Sequence, residues 1–167
     1  DDYWDDLKNE SKNYSNTLEY EGKKQIQHTE VNRETKNVSK TAKQIENTTN
    51  VEYTVVINPA AKDLNPTSDK LVLVDKLEYN NQMTSYLKLS TLKLYEYDSS
   101  KENNRGHEID SSRYQVKIDE TTHKLTITLP DELACVLVYE YDFDVGNLSD
   151  PYVRNSVTLQ ESEYSSS

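Results

Sequence analysis

The length, composition and charge of the chain narrow its class before any strand or helix is assigned. Its 167 residues allow one domain with a substantial core and are too few for two large ones. A formal net charge of −11, with no block of basic residues, argues against nucleic acid and anionic membranes as partners. The single cysteine, Cys135, excludes an intrachain disulfide, and no apolar run is long enough to insert in a membrane.

The predicted elements are almost all short strands. Residues 1–36 are predicted to form an N-terminal arm and a β-hairpin, with strands over 16–20 and 25–31 and a turn containing Gly22. Residues 37–160 are predicted to form one β-sandwich domain, and residues 161–167 a Ser-rich linker or tail.

The sandwich region consists of apolar residues in alternation, interrupted by turn residues. Short strands at this spacing, without a helical period, predict an all-β fold, an immunoglobulin-like antiparallel β-sandwich. A parallel α/β sheet would need crossover helices, which the pattern lacks. The predicted strands are 38–42, 51–57, 71–77, 86–89, 91–95, 114–118, 124–129, 135–143 and 153–159, with a polar loop over 98–110.

Three polar residues fall on faces that are otherwise apolar. Alternation places Lys40, Asp75 and Asn155 on the inward faces of the first, a middle and the last strand of the sandwich. Charged and amide groups are rarely buried without a partner, because removing them from water is costly. The sequence therefore predicts that the three side chains meet in one buried site.

Two outcomes are open for such a site. One is a buried Lys40–Asp75 ion pair with Asn155 nearby, which stabilises the fold weakly because desolvation offsets the attraction. The other is a reaction: burial lowers the lysine pKa and raises the aspartate pKa, so that a neutral Lys40 attacks the Asn155 side-chain carbonyl. Asp75 is then the catalytic residue that stabilises the oxyanion and carries protons to the leaving ammonia, and Lys40 and Asn155 become crosslinked.

An ordered set of segments carries a family resemblance over roughly residues 37–160. The segments 39–42, 51–59, 74–77, 125–131 and 153–157 resemble those of the isopeptide-forming domains of Gram-positive pilins and cell-wall-anchored adhesins, of the collagen-adhesin A type.

The resemblance implies roles for the three polar residues: a reactive lysine at Lys40, a catalytic aspartate at Asp75 and a reactive asparagine at Asn155. Lys76 departs from the family, in which a small hydroxyl residue is common at that position. Lys36 and Lys43 are rival nucleophiles; the odd position of Lys43 puts it on the opposite face of the first strand, and Lys36 precedes that strand.

The function implied by the resemblance is that of a stalk or adhesin module in a bacterial surface protein or pilus. Such a module is extracellular and anchored to the cell wall through other parts of the protein, and its partners are neighbouring domains and a host extracellular ligand. Residues 1–36 are then either the closing hairpin of a preceding tandem domain or extra strands of the same one. The protein is not an enzyme in the turnover sense, because the crosslink forms once.

Two other functions stay open at this stage. One is a ligand-binding adhesin sandwich without a crosslink, which presents a groove or a tyrosine-rich face to a host protein or glycan; Tyr95, Tyr97, Tyr139 and Tyr141 are candidates, although strand tyrosines more often pack within a sheet. The other is a carbohydrate-binding module.

No cofactor or metal is predicted. The acidic turn over 142–147 lacks most of a calcium loop, and His28, His107 and His123 are scattered without a cysteine near them.

Overall fold

The computed structural model describes residues 11–14, 25–31 and 37–160, and for 11–14 and 27–31 it describes the backbone alone. The predictions for the remaining residues lie outside the described part of the chain. These are most of the arm, the strand over 16–20, the turn at Gly22, the position of Lys36 and the tail over 161–167.

The described residues form eleven strands and two short 3₁₀ turns. The turns are Glu102–Asn104 and Ser111–Arg113. The strands are β1 (Ser11–Tyr14), β2 (Gln27–Val31), β3 (Val38–Gln44), β4 (Asn50–Ile57), β5 (Lys70–Tyr79), β6 (Thr84–Tyr97), β7 (Arg105–Glu108), β8 (Gln115–Asp119), β9 (Lys124–Pro130), β10 (Cys135–Asp144) and β11 (Tyr152–Gln160).

The strands build two sheets that face each other across one core. The six-stranded sheet has the order β1-β2-β11-β5-β9-β8, and the five-stranded sheet has the order β3-β4-β10-β6-β7. Neighbouring strands pair antiparallel, except that β2 runs parallel to β11. The prediction of an all-β, immunoglobulin-like sandwich is confirmed, and the division of the chain into domains stays a prediction.

Alternation explains why these segments bury one face. Leu71, Leu73 and Leu77 of β5 are at most 1% exposed, whereas Val72, Val74 and Lys76, on the other face, are partly or fully exposed. Cys135 is also buried, and burial raises the pKa of its thiol to about 12. The thiol therefore stays protonated and unreactive at neutral pH.

The segment before β2 is attached to the same core. Ile26 is 1% exposed, and its backbone N–H donates to the side-chain oxygen of Gln44 at 3.1 Å. The amide nitrogen of Gln44 donates to the carbonyl of Thr48 at 2.9 Å. Gln44 thereby joins residue 26 to the end of β3.

Two sequence predictions need correction. The segments 86–89 and 91–95, predicted as separate strands, are one strand, β6. The β6–β10 register shifts there, so that residues 89–92 lie opposite Tyr139 in a bulge. The hydroxyl of Thr91 closes this bulge by donating to the Lys88 carbonyl at 2.6 Å and accepting from the Glu140 N–H at 2.9 Å.

The second correction concerns the polar loop over 98–110. It contains the short edge strand β7, in which Glu108 pairs with Tyr95 and Arg105 with Tyr97 at the end of β6. The four residues of β7, Arg-Gly-His-Glu, have no apolar alternation and so do not indicate a strand.

Candidate functional site

The strands carry the three predicted site residues to the interior of the sandwich. Asp75 on β5 and Asn155 on β11 are 0% exposed, and Lys40 on β3 is 4% exposed. Because Asn155 pairs with Leu77 and Val157 with Asp75, Asp75 and Asn155 are diagonal neighbours on one inner face. Lys40 reaches them from the opposite sheet.

The side chains of Lys40 and Asn155 both contact the carboxyl group of Asp75. The Lys40 amine forms an ion pair with Oδ2 of Asp75. The Asn155 Nδ2 donates to Oδ1 of Asp75 at 3.0 Å and to the backbone carbonyl of Lys76 at 3.1 Å. The structure therefore brings all three residues to one carboxyl, with the amine on one oxygen and the amide on the other.

The carbonyl oxygen of Asn155 differs from its amide nitrogen. Oδ1 is buried and has no hydrogen-bond partner among the described residues. Leaving a buried acceptor unsatisfied costs about 1–3 kcal/mol. This oxygen is also the atom on which negative charge develops when a nucleophile attacks the amide carbon.

Aromatic rings surround the Lys40 amine. Nζ lies 4.4 Å from the ring centroid of Tyr53 and 5.3 Å from that of Tyr139. The two rings stack on each other with centroids 5.5 Å apart. A lysine in this setting is shielded from water and stabilised by the ring faces while it is charged.

Tyr139 belongs to the site, which the sequence did not indicate. Its hydroxyl donates to Oδ2 of Asp75 and accepts from the Lys40 amine at 2.8 Å. Burial and the charge of Asp75 raise the pKa of Tyr139 well above its usual value, so the hydroxyl keeps its proton. Parity could place Tyr139 on an inner face, but which groups it meets depends on how the sheets pack.

The other buried polar side chains have ordinary structural roles. Among the described residues these are Gln44, described above, and Asn58. The Asn58 Nδ2 donates to the carbonyl of Lys62 at 2.9 Å, and the Asn58 Oδ1 accepts from the Lys62 N–H at 3.0 Å. Each satisfies backbone groups of a loop. The group around Asp75 differs because side chains from both sheets contact one another.

Of the two rival lysines, Lys43 lies in the described part of the chain. Lys43 is exposed, on the opposite face of β3 from Lys40, as parity predicted. Lys76 is exposed as well. It contacts the site through its backbone carbonyl, which accepts a hydrogen bond from the Asn155 Nδ2. The departure at Lys76 therefore leaves the buried face of β5 unchanged.

The acidic turn after β10 is closed by its own backbone. Oδ1 of Asp144 accepts from the Gly146 N–H at 2.9 Å. In the part of the chain that is described, no group of three or more metal-ligating side chains occurs. No described helix has the length and apolar character needed to cross a membrane.

A second feature is a cavity of about 480 Å³ between the first half of β6 and the β8–β9 turn. Tyr79 and His123 stack at its wall with centroids 4.7 Å apart, and the Tyr79 hydroxyl hydrogen-bonds with Ser85 at 2.8 Å. Two lining residues, Tyr86 and Leu89, are 69% and 53% exposed. This cavity is an open, aromatic groove at the side of the sandwich.

Comparison with known proteins finds similar folds and no family. No family model matches the chain, and no curated protein matches it. The collagen-binding domain from a Staphylococcus aureus adhesin is similar at a TM-score of 0.44 and 14% identity, over 75% of this chain and 99% of that one. ACE19, the collagen binding subdomain of the Enterococcus faecalis surface protein ACE, gives 0.45 and 8% over 75% and 99%. The RrgA Jo.In complex gives 0.47 and 16% over 76% and 71%.

Proposed function

We propose that this chain is a stalk or adhesin module of a bacterial surface protein or pilus, strengthened by an autocatalytic isopeptide bond between Lys40 and Asn155. Asp75 promotes the bond. Such a module lies outside the cell, in a protein anchored to the wall through other segments, and adjoins further domains of the same protein.

The contact of Lys40 and Asn155 with the two oxygens of one buried carboxyl supports this proposal above all. An ion pair alone would need no amide beside it, and an amide placed for stability alone would have its carbonyl oxygen satisfied. Instead the Asn155 Oδ1 is buried without a partner among the described residues.

The reaction is a transamidation that needs no outside reagent. The proton shared by Lys40 and Asp75 moves to the carboxyl, which leaves a neutral amine and an acid. The Lys40 Nζ then bonds to Cγ of Asn155, and negative charge develops on the Asn155 Oδ1. The acid stabilises this charge once the amide turns its oxygen, in place of its nitrogen, towards the Asp75 carboxyl. The Cγ–Nδ2 bond breaks, an amine hydrogen is passed to Nδ2, and ammonia leaves. Burial supplies a high effective concentration of the reactants, so one slow event completes the crosslink.

The crosslink would serve a mechanical purpose. Lys40 lies on β3 and Asn155 on β11, and these strands belong to different sheets. A covalent bond between them connects the start and the end of the region 37–160, so a pulling force at its two ends passes through the bond and not through the sheets.

Intact-mass spectrometry of the purified chain tests the proposal. We expect the folded chain to be lighter than its sequence mass by one ammonia, and a proteolytic digest to contain a joined peptide with both Lys40 and Asn155. The variants Lys40→Arg, Asp75→Ala and Asn155→Ala should each have their full sequence mass. Lys43→Arg, a change at the exposed neighbouring lysine, should keep the loss. A folded wild-type chain at full sequence mass would refute the proposal.

A second candidate function is a ligand-binding adhesin sandwich, favoured by the aromatic groove beside β6. An exposed aromatic beside a cavity is a typical contact for a sugar or an apolar side chain. Binding of the wild-type chain to arrays of oligosaccharides and extracellular-matrix proteins tests it. Binding that Tyr86→Ala removes and Lys40→Arg preserves would support this function, and no binding would argue against it.

A further inference from the structure

The Tyr139 hydroxyl contacts two of the three groups that the proposed crosslinking needs. It accepts from the Lys40 amine at 2.8 Å and donates to Oδ2 of Asp75. A phenol has one proton to donate and lone pairs to accept, so both contacts form at once. Lysine, tyrosine and aspartate thus form a closed triangle of hydrogen bonds on one side of the carboxyl.

The two carboxyl oxygens of Asp75 consequently have separate partners. Oδ2 contacts the Lys40 amine and the Tyr139 hydroxyl, and Oδ1 accepts a hydrogen bond from the Asn155 Nδ2. Two donors on Oδ2 fix the rotation of the carboxyl group about the Cβ–Cγ bond of Asp75. With this rotation fixed, Oδ1 stays directed at Asn155.

The Tyr139 ring is held firmly in place. It stacks on Tyr53 and meets Tyr141 edge to face, with centroids 6.1 Å apart and planes at 77°. The backbone of Tyr139 lies opposite the bulge over 89–92, where β6 and β10 change register. Bulges commonly redirect side chains beside functional sites. The hydroxyl is therefore presented to the opposite sheet by a rigid support.

We propose that Tyr139 is the positioning residue of the crosslinking site. Its hydroxyl fixes the Asp75 carboxyl and the Lys40 amine, so that one carboxyl oxygen contacts the amine while the other contacts the Asn155 amide. This inference rests on the proposed function. Tyr139 exchanges no atom in the reaction and acts through Asp75 and Lys40. A phenylalanine here would keep the packing and lose this orientation.

The test compares two variants that each remove one hydroxyl from β10. Tyr139→Phe removes the hydroxyl at the site, and Tyr141→Phe removes that of the next inward residue. Each chain is recovered from inclusion bodies in urea, checked by intact mass to have its full sequence mass, folded by dilution at a series of pH values, and followed by intact mass over time. Circular dichroism confirms that both variants fold.

We expect Tyr139→Phe to slow the loss of ammonia by about tenfold to a hundredfold, the effect of losing one hydrogen bond to a charged group. We also expect its pH–rate profile to shift, which a packing role alone would not produce. Tyr141→Phe should match the wild-type rate and profile. A wild-type rate in Tyr139→Phe, or equal slowing by both variants, would overturn the inference while leaving the crosslink in place. A wild-type chain that folds without losing ammonia would overturn the proposed function, and the positioning role with it.

Discussion

Two lysine–carboxylate contacts in this molecule join the same chemical groups in opposite surroundings. Lys40 and Asp75 meet between the sheets, with side chains 1% and 0% exposed. Lys88 and Glu140 meet at the outer face of the five-stranded sheet at 3.4 Å, with side chains 37% and 20% exposed. Water solvates the second pair whether or not it forms, whereas the first depends on its protein partners. Position in the fold, more than the identity of the charges, decides what each contact does.

The largest expected effect comes from removing one member of the buried pair. Asp75→Leu leaves the Lys40 amine buried without its counter-charge, whereas Lys40→Met combined with Asp75→Leu leaves an apolar contact. We expect the single variant to be less stable than the double variant by about 3–5 kcal/mol. Urea unfolding followed by circular dichroism measures the difference.

This comparison is internally matched, since neither variant can form a crosslink. Equal free energies of unfolding for the two variants would mean that the Lys40 amine reaches water in the single variant. The burial seen at this position would then not govern the energetics of the pair.

A smaller effect is expected at the exposed pair. Lys88→Ala should change the free energy of unfolding by about 0–1 kcal/mol, because solvent competes for both groups. High salt should abolish the change, while the difference between the two buried-site variants should persist, since buried charges are screened less. A large, salt-independent loss at Lys88 would show that the two contacts are alike.

The smallest effect is expected at the aromatic groove. Tyr86 is 69% exposed, so Tyr86→Ala should alter stability by no more than about 0.5 kcal/mol in the same unfolding measurement. The matched change at the buried Tyr53 should cost about 3–5 kcal/mol. If Tyr86→Ala proves equally costly, the groove is part of the core and not a free surface.

Parity alone predicted much of the buried cluster. In a strand every second side chain faces inward. A polar residue whose neighbours two positions before and after it are apolar is therefore predicted to face inward, whatever the order of strands in the sheet. This is why the inward placement of Lys40, Asp75 and Asn155 could be predicted from their own strands. Their meeting at one carboxyl required the order of strands in both sheets, for which the residues gave no direct signal beyond the need for partners.

The sequence predictions failed where parity changes or where contacts cross the core. Leu87 and Leu89 share one phase and Leu92 and Leu94 the other, so β6 looked like two strands although a bulge makes it one. Tyr139 looked like a packing residue because alternating tyrosines on a strand usually are, and it is also packed on Tyr53. Its hydroxyl contacts lie across the sandwich, and a strand's own pattern does not encode the opposite sheet.

The order of the strands along the chain determines when the buried cluster can exist. Asn155 lies on β11, the last described strand, and it meets Asp75 only when β11 pairs with β5, eighty positions upstream. Contacts between such distant residues form late, because the entropy of closing the long loop must first be overcome. During synthesis, therefore, the amine and the acid emerge from the ribosome well before the amide, and the cluster assembles only as the sandwich closes.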